Sequence, residues 1–454
     1  MAMQKRLLTL LVLMVGVAMT SLLTIGQQPL GEVHELFPQV AVNGTNIKVV
    51  WQVAQPYDLF QRPNLTQPWL PDATMQVNIY PQMNGFPPGA ARPKISADAN
   101  WLVYHDHQGR VRVWDISTNP PDEILLIIGW QDANNDGIRE EPQNYDAPSG
   151  IFSAVSDSGR FVAFLSQRTD LNDPNGDGNG PNTPQLNSDW TIYIHDRDAD
   201  IPQDLNNDGV PDIQGTQGEF DEDIRGATTT RFLPNPNDLN SPFRLPNPTR
   251  LRHIALEETN RILRIYVTWL TRNGTNWELR LGRWEWDLQN RQWGNVEERL
   301  IWSSPVPIQG GFVARGRVAF SIANFIAVFD DAGNQLLQIQ TNGVNGAPAL
   351  SRDGQLLAFH STMTAYRVNN GPWVPLINKR NAVDDVFVFD LAKQQIVWST
   401  LGFRPTEIPI YAACTNPNLT DLNTIAFQQV TPILPNGQVY VSRVRIFWNG
   451  SFVR

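Results

Sequence analysis

Two nine-residue segments carry oxygen-bearing side chains at a spacing that suits a calcium ion. The segments begin at Asp132 and Asp204, and each has Asp, Asn and Asp at positions 1, 3 and 5, Gly at position 6 and an acid at position 9. Calcium binds about six to eight oxygen ligands, and a tight loop around a glycine turn supplies several of them. The spacing therefore favours a pair of calcium sites.

This pattern resembles the calcium loops found between strands of integrin-type propellers and other secreted proteins. The resemblance implies two ligand sets in which the residue at position 7 contributes its backbone oxygen: Asp132, Asn134, Asp136, Ile138 and Glu140 in one, and Asp204, Asn206, Asp208, Val210 and Asp212 in the other. A third segment has only the first half of the pattern, namely Asp173, Asn175 and Asp177. We expect the ions to be structural, since they would order long loops that hold few apolar residues.

The segments lie in a strongly acidic stretch, residues 132–223. It holds 20 Asp and Glu against four Arg, a net charge of −16, whereas the whole chain carries −10. The alternative to calcium is that Asn-Asp-Gly forms good turns and that the acidic loops are merely solvated. Repulsion among so many carboxylates costs stability unless cations offset it, so the repetition favours calcium. The same negative charge disfavours nucleic acid as a partner.

A repeated hairpin module would position these loops. Three copies run from a serine, through a turn, to an aromatic residue eight positions later: Ser96 to Tyr104, Ser156 to Phe164 and Ser351 to Phe359. Weaker copies end at three further aromatics, which are Trp269, Phe320 and Phe427. The 32 glycines and 34 prolines are spread along the chain, which suits short strands joined by turns. A hairpin repeated in this way indicates a repeat architecture.

The six modules resemble the TolB-like β-propeller repeat family, relatives of the WD-repeat propellers. The resemblance rests on the Ser-x-Asp-Gly-like turn and on strand ends such as Ala163-Phe164 and Ala358-Phe359, and it covers residues 90–450. It implies an all-β fold, a six-bladed β-propeller; the alternatives are a seven-bladed propeller or a β-sandwich pair. Radial repetition leaves only short, protected sheet edges. The chain departs from TolB itself, which carries an α/β domain before its propeller.

Three segments are expected along the chain. They are a signal peptide or signal anchor at 1–26, a Pro-rich segment with two strands at 27–90, for which closing the ring is one option, and the propeller at 91–454 with its acidic calcium-loop insertion at 132–223. Lys5 and Arg6 precede the apolar run at 7–25, as in a secretory signal, and the run is nearly long enough to span a bilayer. We therefore expect an exported protein, extracellular, periplasmic or at the cell surface, with membrane attachment only through that run.

Signatures of common catalytic sites are absent from the sequence, including Gly-x-Ser-x-Gly, the Walker loop and His-Glu-x-x-His. His105 and His107 would share one face of an extended chain and suit Zn or Cu, but no third ligand is nearby. We therefore expect them to be exposed turn residues. His195 stands where other modules have Trp or Phe and is expected to pack. The only cysteine, Cys414, is expected to be buried and inert.

These features predict a non-catalytic binding or scaffold module at the cell surface or envelope, whose partner is a protein or glycan still to be identified. Propellers bind through loops at one end of the channel, and the insertions at 165–190 and 361–384 are the expected contact loops. The alternative is a propeller-type glycoside hydrolase or lyase acting on extracellular polysaccharide. Two or three acids converging with Trp at the channel mouth would favour that enzyme; the candidates for sugar stacking are Trp101, Trp277, Trp293 and Trp448.

Overall fold

The computed structural model is a ring of seven antiparallel sheets, each built from strands close together in the chain. It describes residues 34–54, 76–83, 86, 89–127, 150–168, 186–197, 228–231, 245, 247–259, 261–290, 292–377, 379, 383–403, 407–408, 413–432 and 440–454. Neighbouring sheets pack against each other, and the first strand of each sheet lies innermost. The fold is an all-β propeller with seven blades.

The first four blades contain strands β1 to β15. Blade 1 has β1 (His34–Asn43), β2 (Asn46–Ala54) and β3 (Gln76–Tyr80); blade 2 has β4 (Ala90–Ile95), β5 (Trp101–Asp106), β6 (Val111–Asp115) and β7 (Asp122–Ile127); blade 3 has β8 (Ile151–Val155), β9 (Phe161–Arg168), β10 (Leu186–Asp196) and β11 (Thr228–Arg231); blade 4 has β12 (Leu251–Glu258), β13 (Ile262–Asn273), β14 (Asn276–Asp287) and β15 (Gln292–Ser304).

The last three blades contain strands β16 to β29. Blade 5 has β16 (Gln309–Ala314), β17 (Arg317–Ile322), β18 (Phe325–Asp330) and β19 (Gln335–Thr341), extended by β22 (Ala365–Val368) and β23 (Val374–Pro375); blade 6 has β20 (Ala349–Leu350), β21 (Leu356–Ser361), β24 (Asp385–Asp390) and β25 (Gln395–Ser399); blade 7 has β26 (Ala413–Asp421), β27 (Thr424–Pro432), β28 (Tyr440–Trp448) and β29 (Ser451–Phe452). Short 3-10 helices span Pro248–Arg250 and Thr400–Gly402.

The expectation of six blades is wrong, and the alternative of seven is confirmed. The six repeated aromatics all lie buried on the second strand of their blades. The seventh equivalent is Trp51 on β2, whose side chain is 1% exposed. Blade 1 escaped the count because Gly44 and Thr45 form its first turn, which lacks the Ser-x-Asp-Gly pattern. Strands β2 and β3 lie where the sequence indicates two strands; β1 was missed.

The ring closes between blade 1 and blade 7. Strand β1 packs on β26, β27 and β28, and one buried apolar cluster joins Val40 and Trp51 to Ile446. The backbone N–H of Val40 donates a buried hydrogen bond of 3.0 Å to Oδ1 of Asn418. Among the described strands, no blade combines strands from the two ends of the chain, and side-chain packing with this hydrogen bond joins blade 1 to blade 7.

The serine of the repeated turn explains why the motif recurs. Its hydroxyl accepts the backbone N–H five residues later, at 3.0 Å between Ser96 and Trp101 and at 2.9 Å between Ser351 and Leu356. In these blades the hydroxyl donates to the aspartate two positions later, which is Asp98 or Asp353. The motif therefore locks the turn that joins the innermost strand to the second strand of a blade.

The described part of the 361–384 insertion lies away from the central channel. It forms β22 and β23, and β22 pairs with β19 at the outer edge of blade 5. That sheet therefore has six strands, and the expectation that this insertion is a contact loop at the channel mouth is wrong for these residues. Most of the 165–190 insertion lies outside the described residues.

The N-terminal signal or anchor expected at 1–26 also lies outside the described residues. Among the helices of the described part of the chain, none has the length and apolar character that crossing a membrane requires.

Candidate functional site in the axial channel

The predicted calcium ligands at 132–140, 173–177 and 204–212 lie outside the described residues. Within the part of the chain that the structure describes, no three His, Cys, Asp or Glu side chains come together as a metal site. The calcium sites therefore stay predictions.

The histidines differ partly from expectation. His105 is buried in β5 and not exposed in a turn, because it packs at the blade 2–blade 3 junction, where its Nδ1 accepts the backbone N–H of Phe152 at 3.3 Å. His195 packs in the core as expected, and burial lowers its pKa to about 3. Cys414 is buried, also as expected. None of these side chains faces the channel cavities described next.

The seven innermost strands line an axial channel with two connected cavities. The strands are β1, β4, β8, β12, β16, β20 and β26, and all run in the same direction along the channel. The beginnings of the strands surround a cavity of about 410 Å³, which we call the wide end. Their ends surround a cavity of about 130 Å³, the narrow end.

A β-bulge recurs at one level of the channel. In six of the seven innermost strands, the register of pairing with the second strand of the blade shifts. Each shift comes just before a residue that lines both cavities. Several bulges contain a residue in the left-handed region, including Phe37, Arg92 and Phe152 with φ of 53°, 52° and 53°. Bulges re-aim the side chains that follow them. The residues after the shifts line both cavities and form a channel ring of Gln39, Lys94, Ala154, His253, Phe312 and Asn418.

The wide end combines basic groups with apolar walls. Arg92, Lys94 and Arg252 line it, and the described lining residues include no Asp or Glu. The guanidinium of Arg92 lies 4.2 Å from the ring centroid of Phe152, a cation–π contact that holds the charge at the cavity wall. Phe37 remains 46% exposed at the same end. The wall is therefore aromatic and positively charged.

Two members of the channel ring have perturbed protonation. Burial lowers the pKa of Lys94 to about 8, and the charge of Arg92 adds to this shift. Burial, with the charge of Lys94, also lowers the pKa of His253 well below its usual value. The neutral imidazole accepts the backbone N–H of Val313 at Nδ1, at 3.4 Å, which places the ring proton on Nε2. The ring of Phe312 packs 4.0 Å away.

The narrow end is closed by ion pairs between blades. Asp157 of blade 3 accepts from Arg315 at 2.9 Å and from Arg352 at 3.2 Å, so one carboxylate joins blades 5 and 6. Arg315 also lies 4.0 Å from Glu257 of blade 4. Arg352 further donates to the backbone oxygen of Ile95 in blade 2, at 3.3 Å. Charges of both signs are matched here.

The second position of the repeated turn carries a sequence signal for the narrow end. Asp157 and Arg352 occupy the variable second position of the Ser-x-Asp-Gly turn, which the turn itself does not constrain. In blade 3 the third position is Ser158, and Glu258 of blade 4 replaces the missing aspartate. Its carboxylate accepts the hydroxyl of Ser156 at 3.2 Å and the N–H of Ser158 at 2.8 Å.

The wide end has its own overlooked signal. Proline directly precedes the channel-ring residue in three of the innermost strands, at Pro38-Gln39, Pro93-Lys94 and Pro417-Asn418. Proline cannot donate to a β-ladder, so within sheets it occurs at bulges and edges. Its recurrence in first strands marks the bulges that aim these side chains into the channel.

The tryptophans proposed for sugar stacking lie elsewhere. Arg197 stacks on Trp101 at 4.0 Å and Arg272 on Trp277 at 5.2 Å, and Trp448 packs in the cluster that closes the ring. The side chain of Trp293 lies outside the described residues. Among the described residues that line the channel, no Trp accompanies the carboxylates.

Comparisons with known proteins show likeness in fold alone. No family model and no curated protein matches the chain. Among solved structures it is similar to the β-propeller domain of Myceliophteria thermophila Cps50 (Swd1), at 10% identity over 92% of this chain and 99% of that chain, with a TM-score of 0.38. The Dos1 propeller is 10% identical over 94% of both chains, with a TM-score of 0.41. An oligogalacturonate lyase in complex with manganese is 10% identical over 94% of this chain and 96% of that chain, with a TM-score of 0.39.

Proposed function

We propose that the protein is an exported, non-catalytic propeller that binds a ligand at the wide end of its axial channel. The observation that carries the proposal is the cavity of about 410 Å³, to which all seven innermost strands contribute. Small-molecule sites are concave, mostly apolar, and contain a few polar groups that fix orientation. The wide end has this composition, with aromatic walls and basic groups.

Binding fits the described residues better than catalysis does. An acid and base for glycoside cleavage would have to face the same cavity. The described lining of the wide end holds no carboxylate, and the narrow-end acids Asp157 and Glu257 lie beside guanidinium groups. The wide end therefore offers recognition without the groups that such a reaction needs.

The test is to fill the cavity. Ala154 lines it and is 5% exposed, so Ala154→Trp should occlude the channel, whereas Val344→Trp, at a position 65% exposed, is the matched surface control. A library of charged and neutral small molecules is screened by thermal melting of all three proteins. We expect ligands that stabilise the native chain and Val344→Trp but not Ala154→Trp. Hits that persist unchanged in Ala154→Trp would contradict binding in the channel.

Structural calcium belongs to the same proposal. The two complete nine-residue loops at 132–140 and 204–212 support it, together with the net charge of −16 around them. Their likeness to integrin-type loops, and the TolB-like character of the repeats, are likewise proposals. EGTA should lower the melting temperature by several degrees, and the double variant Asp132→Ala/Asp204→Ala should melt at the lower temperature with or without EGTA. Coincident melting curves in all conditions would exclude structural calcium.

Export is supported by the charge-then-apolar pattern of residues 1–26. The envelope or cell surface is the proposed location, where the partner would be a small molecule, a glycan or a protein bearing the recognised group. Fractionation of cells that express the full chain should place it outside the cytoplasm, and replacing Lys5 and Arg6 by Glu should retain it inside.

A second candidate, a hydrolase or lyase acting on extracellular polysaccharide, is favoured by one observation at the narrow end. Burial raises the pKa of Glu257, which the nearby Arg315 partly offsets and the charge of Asp157 increases. Its Oε1 is buried without a hydrogen-bond partner among the described residues. A raised pKa suits a general acid. If the chain cleaves any polysaccharide of a test panel, Glu257→Gln should abolish that cleavage.

A further inference from the structure

We propose that the ligand of the wide end is a small organic anion, with a carboxylate or phosphate group attached to an apolar body. This inference rests on the proposed function of the same cavity and specifies the chemistry of its ligand.

The described lining of the wide end has an imbalance of charge. Arg92, Lys94 and Arg252 all line the wide end, and no Asp or Glu belongs to its described lining. No ion pair with an acid is formed by Lys94 or Arg252 among the described residues; Arg252 makes only a hydrogen bond of 3.4 Å to the backbone oxygen of Thr249. The side chain of Lys94 is partly buried, and a charge removed from water is costly unless it is paired. An anionic ligand would supply the missing countercharge.

Neutral hydrogen-bond donors line the same cavity as Lys94. His253 is uncharged, so its Nε2 carries a proton that can be donated. Oδ1 of Asn418 already accepts from Val40, which leaves the amide nitrogen of Asn418 as a donor. The hydroxyl of Ser153 is buried at the cavity wall without a hydrogen-bond partner among the described residues. A cavity that offers hydrogen-bond donors and no carboxylate suits a ligand that carries an oxyanion.

Apolar side chains accompany these donors at the wide end. Phe37, Phe152, Leu251, Phe312 and Pro348 line the same cavity. A hydrated inorganic ion would leave these side chains without a contact, whereas a ring or chain attached to the anionic group would bury them. Transfer of apolar surface from water stabilises a complex by about 25 cal/mol per Å². The ligand is therefore expected to be an organic anion.

The narrow end does not compete for such a ligand. Its arginines, Arg315 and Arg352, already share Asp157, and its cavity is only about 130 Å³. The ion-paired arginines of the channel therefore lie at the narrow end, whereas Lys94, which lines both cavities, and Arg252 form no ion pair with an acid among the described residues.

The test is calorimetric titration of the full chain at pH 7 with phenyl phosphate, benzoate, inorganic phosphate and phenol. We expect saturable binding of phenyl phosphate or benzoate, with inorganic phosphate and phenol at least tenfold weaker. Benzoate and phenyl phosphate separate a carboxylate from a phosphate ligand. Equal binding of phenol would overturn the anionic group, and equal binding of inorganic phosphate would overturn the apolar body.

Variants of Lys94 test whether its side chain binds the anion. Lys94→Met should weaken the anion at least tenfold and Lys94→Arg should restore it, whereas Lys393→Met should have no effect, since Lys393 is exposed in the β24–β25 turn and pairs with Asp390. Unchanged affinity in Lys94→Met, with a melting curve that shows it folded, would overturn the proposal. If a neutral ligand binds the native chain and Ala154→Trp blocks its binding, the channel is a binding site, and only its preference for anions is refuted.

A pH series gives a readout that a structural role of Lys94 would not produce. Anion affinity should fall as pH rises from 7 to 9.5, because the ammonium of Lys94 deprotonates with a pKa of about 8. The other groups that face the cavity keep their state, since Arg92 and Arg252 stay charged and His253 is already neutral. At the narrow end, Asp157 and Glu257 remain beside Arg315 and Arg352. Affinity that is constant across this range would contradict the role of Lys94.

Discussion

Both ends of the channel carry basic side chains, but the partners of these side chains differ between the two ends. At the narrow end, Arg315 and Arg352 share the carboxylate of Asp157, and four blades are tied together through these contacts and the backbone of Ile95. At the wide end, Arg252 and Lys94, which also lines the narrow cavity, face a larger cavity whose described lining holds no acid.

Ion-paired side chains hold the ring of blades together, whereas a buried charge without an acid partner lowers the stability of the ring. Matched charges at a blade junction stabilise modestly and fix the geometry of the turns. An unmatched, largely buried lysine lowers stability, and proteins tolerate such a cost mainly where function requires it. The comparison therefore supports the proposal that the wide end recognises a ligand, whereas the ion pairs of the narrow end hold blades together.

The largest expected effect is on the stability of the protein after Lys94→Met. Removing this charge should raise the free energy of unfolding by about 1–3 kcal/mol, because burial removes part of the hydration of the ammonium and no acid among the described residues pairs with it. Urea unfolding at pH 7 measures the change, and Lys94→Arg should show no such gain. A loss of stability in Lys94→Met would mean that Lys94 is a structural residue.

The second effect has the opposite sign at the narrow end. Asp157→Asn should lower the free energy of unfolding by about 1–2 kcal/mol, since Arg315 and Arg352 would then repel each other across a partly exposed site. High salt should reduce the loss by screening. The double variant Asp157→Asn/Arg352→Gln should recover part of it in a double-mutant cycle. A stabilising Asp157→Asn would contradict the assignment of this end.

The stability difference between the native chain and Lys94→Met should depend on pH, and this is a smaller effect. Folding depresses the pKa of Lys94 from 10.5 to about 8, so between these values the unfolded chain binds a proton that the folded chain lacks. Native stability relative to Lys94→Met should therefore rise as pH increases from 8 to 10.5, and the gap between the two proteins should close. Urea unfolding at pH 7.5 and pH 10 checks this; a constant gap would contradict it.

The smallest change in stability is expected at a surface ion pair away from the channel. Arg264 pairs with Glu285 at 2.9 Å on blade 4, and its side chain is 43% exposed. Arg264→Ala should change the free energy of unfolding by no more than about 0.5 kcal/mol, as solvated pairs do. A larger loss would show that surface pairs contribute as much as the narrow-end ion pairs.

Much of the scaffold could be predicted from the sequence, because the repeated turn has a local chemistry. The serine of the turn bonds a backbone N–H five residues later, so the residues that specify the hairpin lie close together in the chain. Blade 1 was missed because Gly44 and Thr45 make its turn without that serine. Its anchor, Trp51, is as buried as the others.

The channel site could not be predicted in the same way. Lys94, His253 and Asn418 come from three blades and meet only because bulges set them at one level of the ring. Their separation in the chain depends on loop lengths, so no fixed spacing identifies them. His105 illustrates the converse, since its place beside Gly and Asp indicates an exposed turn, yet packing between blades buries it.

The most direct test of the proposed site is a crystal structure of the full chain grown with 4-bromobenzoate, whose bromine gives an anomalous signal. We predict one bromine peak at the wide end, with the carboxylate within hydrogen-bonding distance of Nζ of Lys94, and no peak between Arg315 and Arg352. A peak at the narrow end with an empty wide end would contradict the division between recognition and structure on which the proposed function rests.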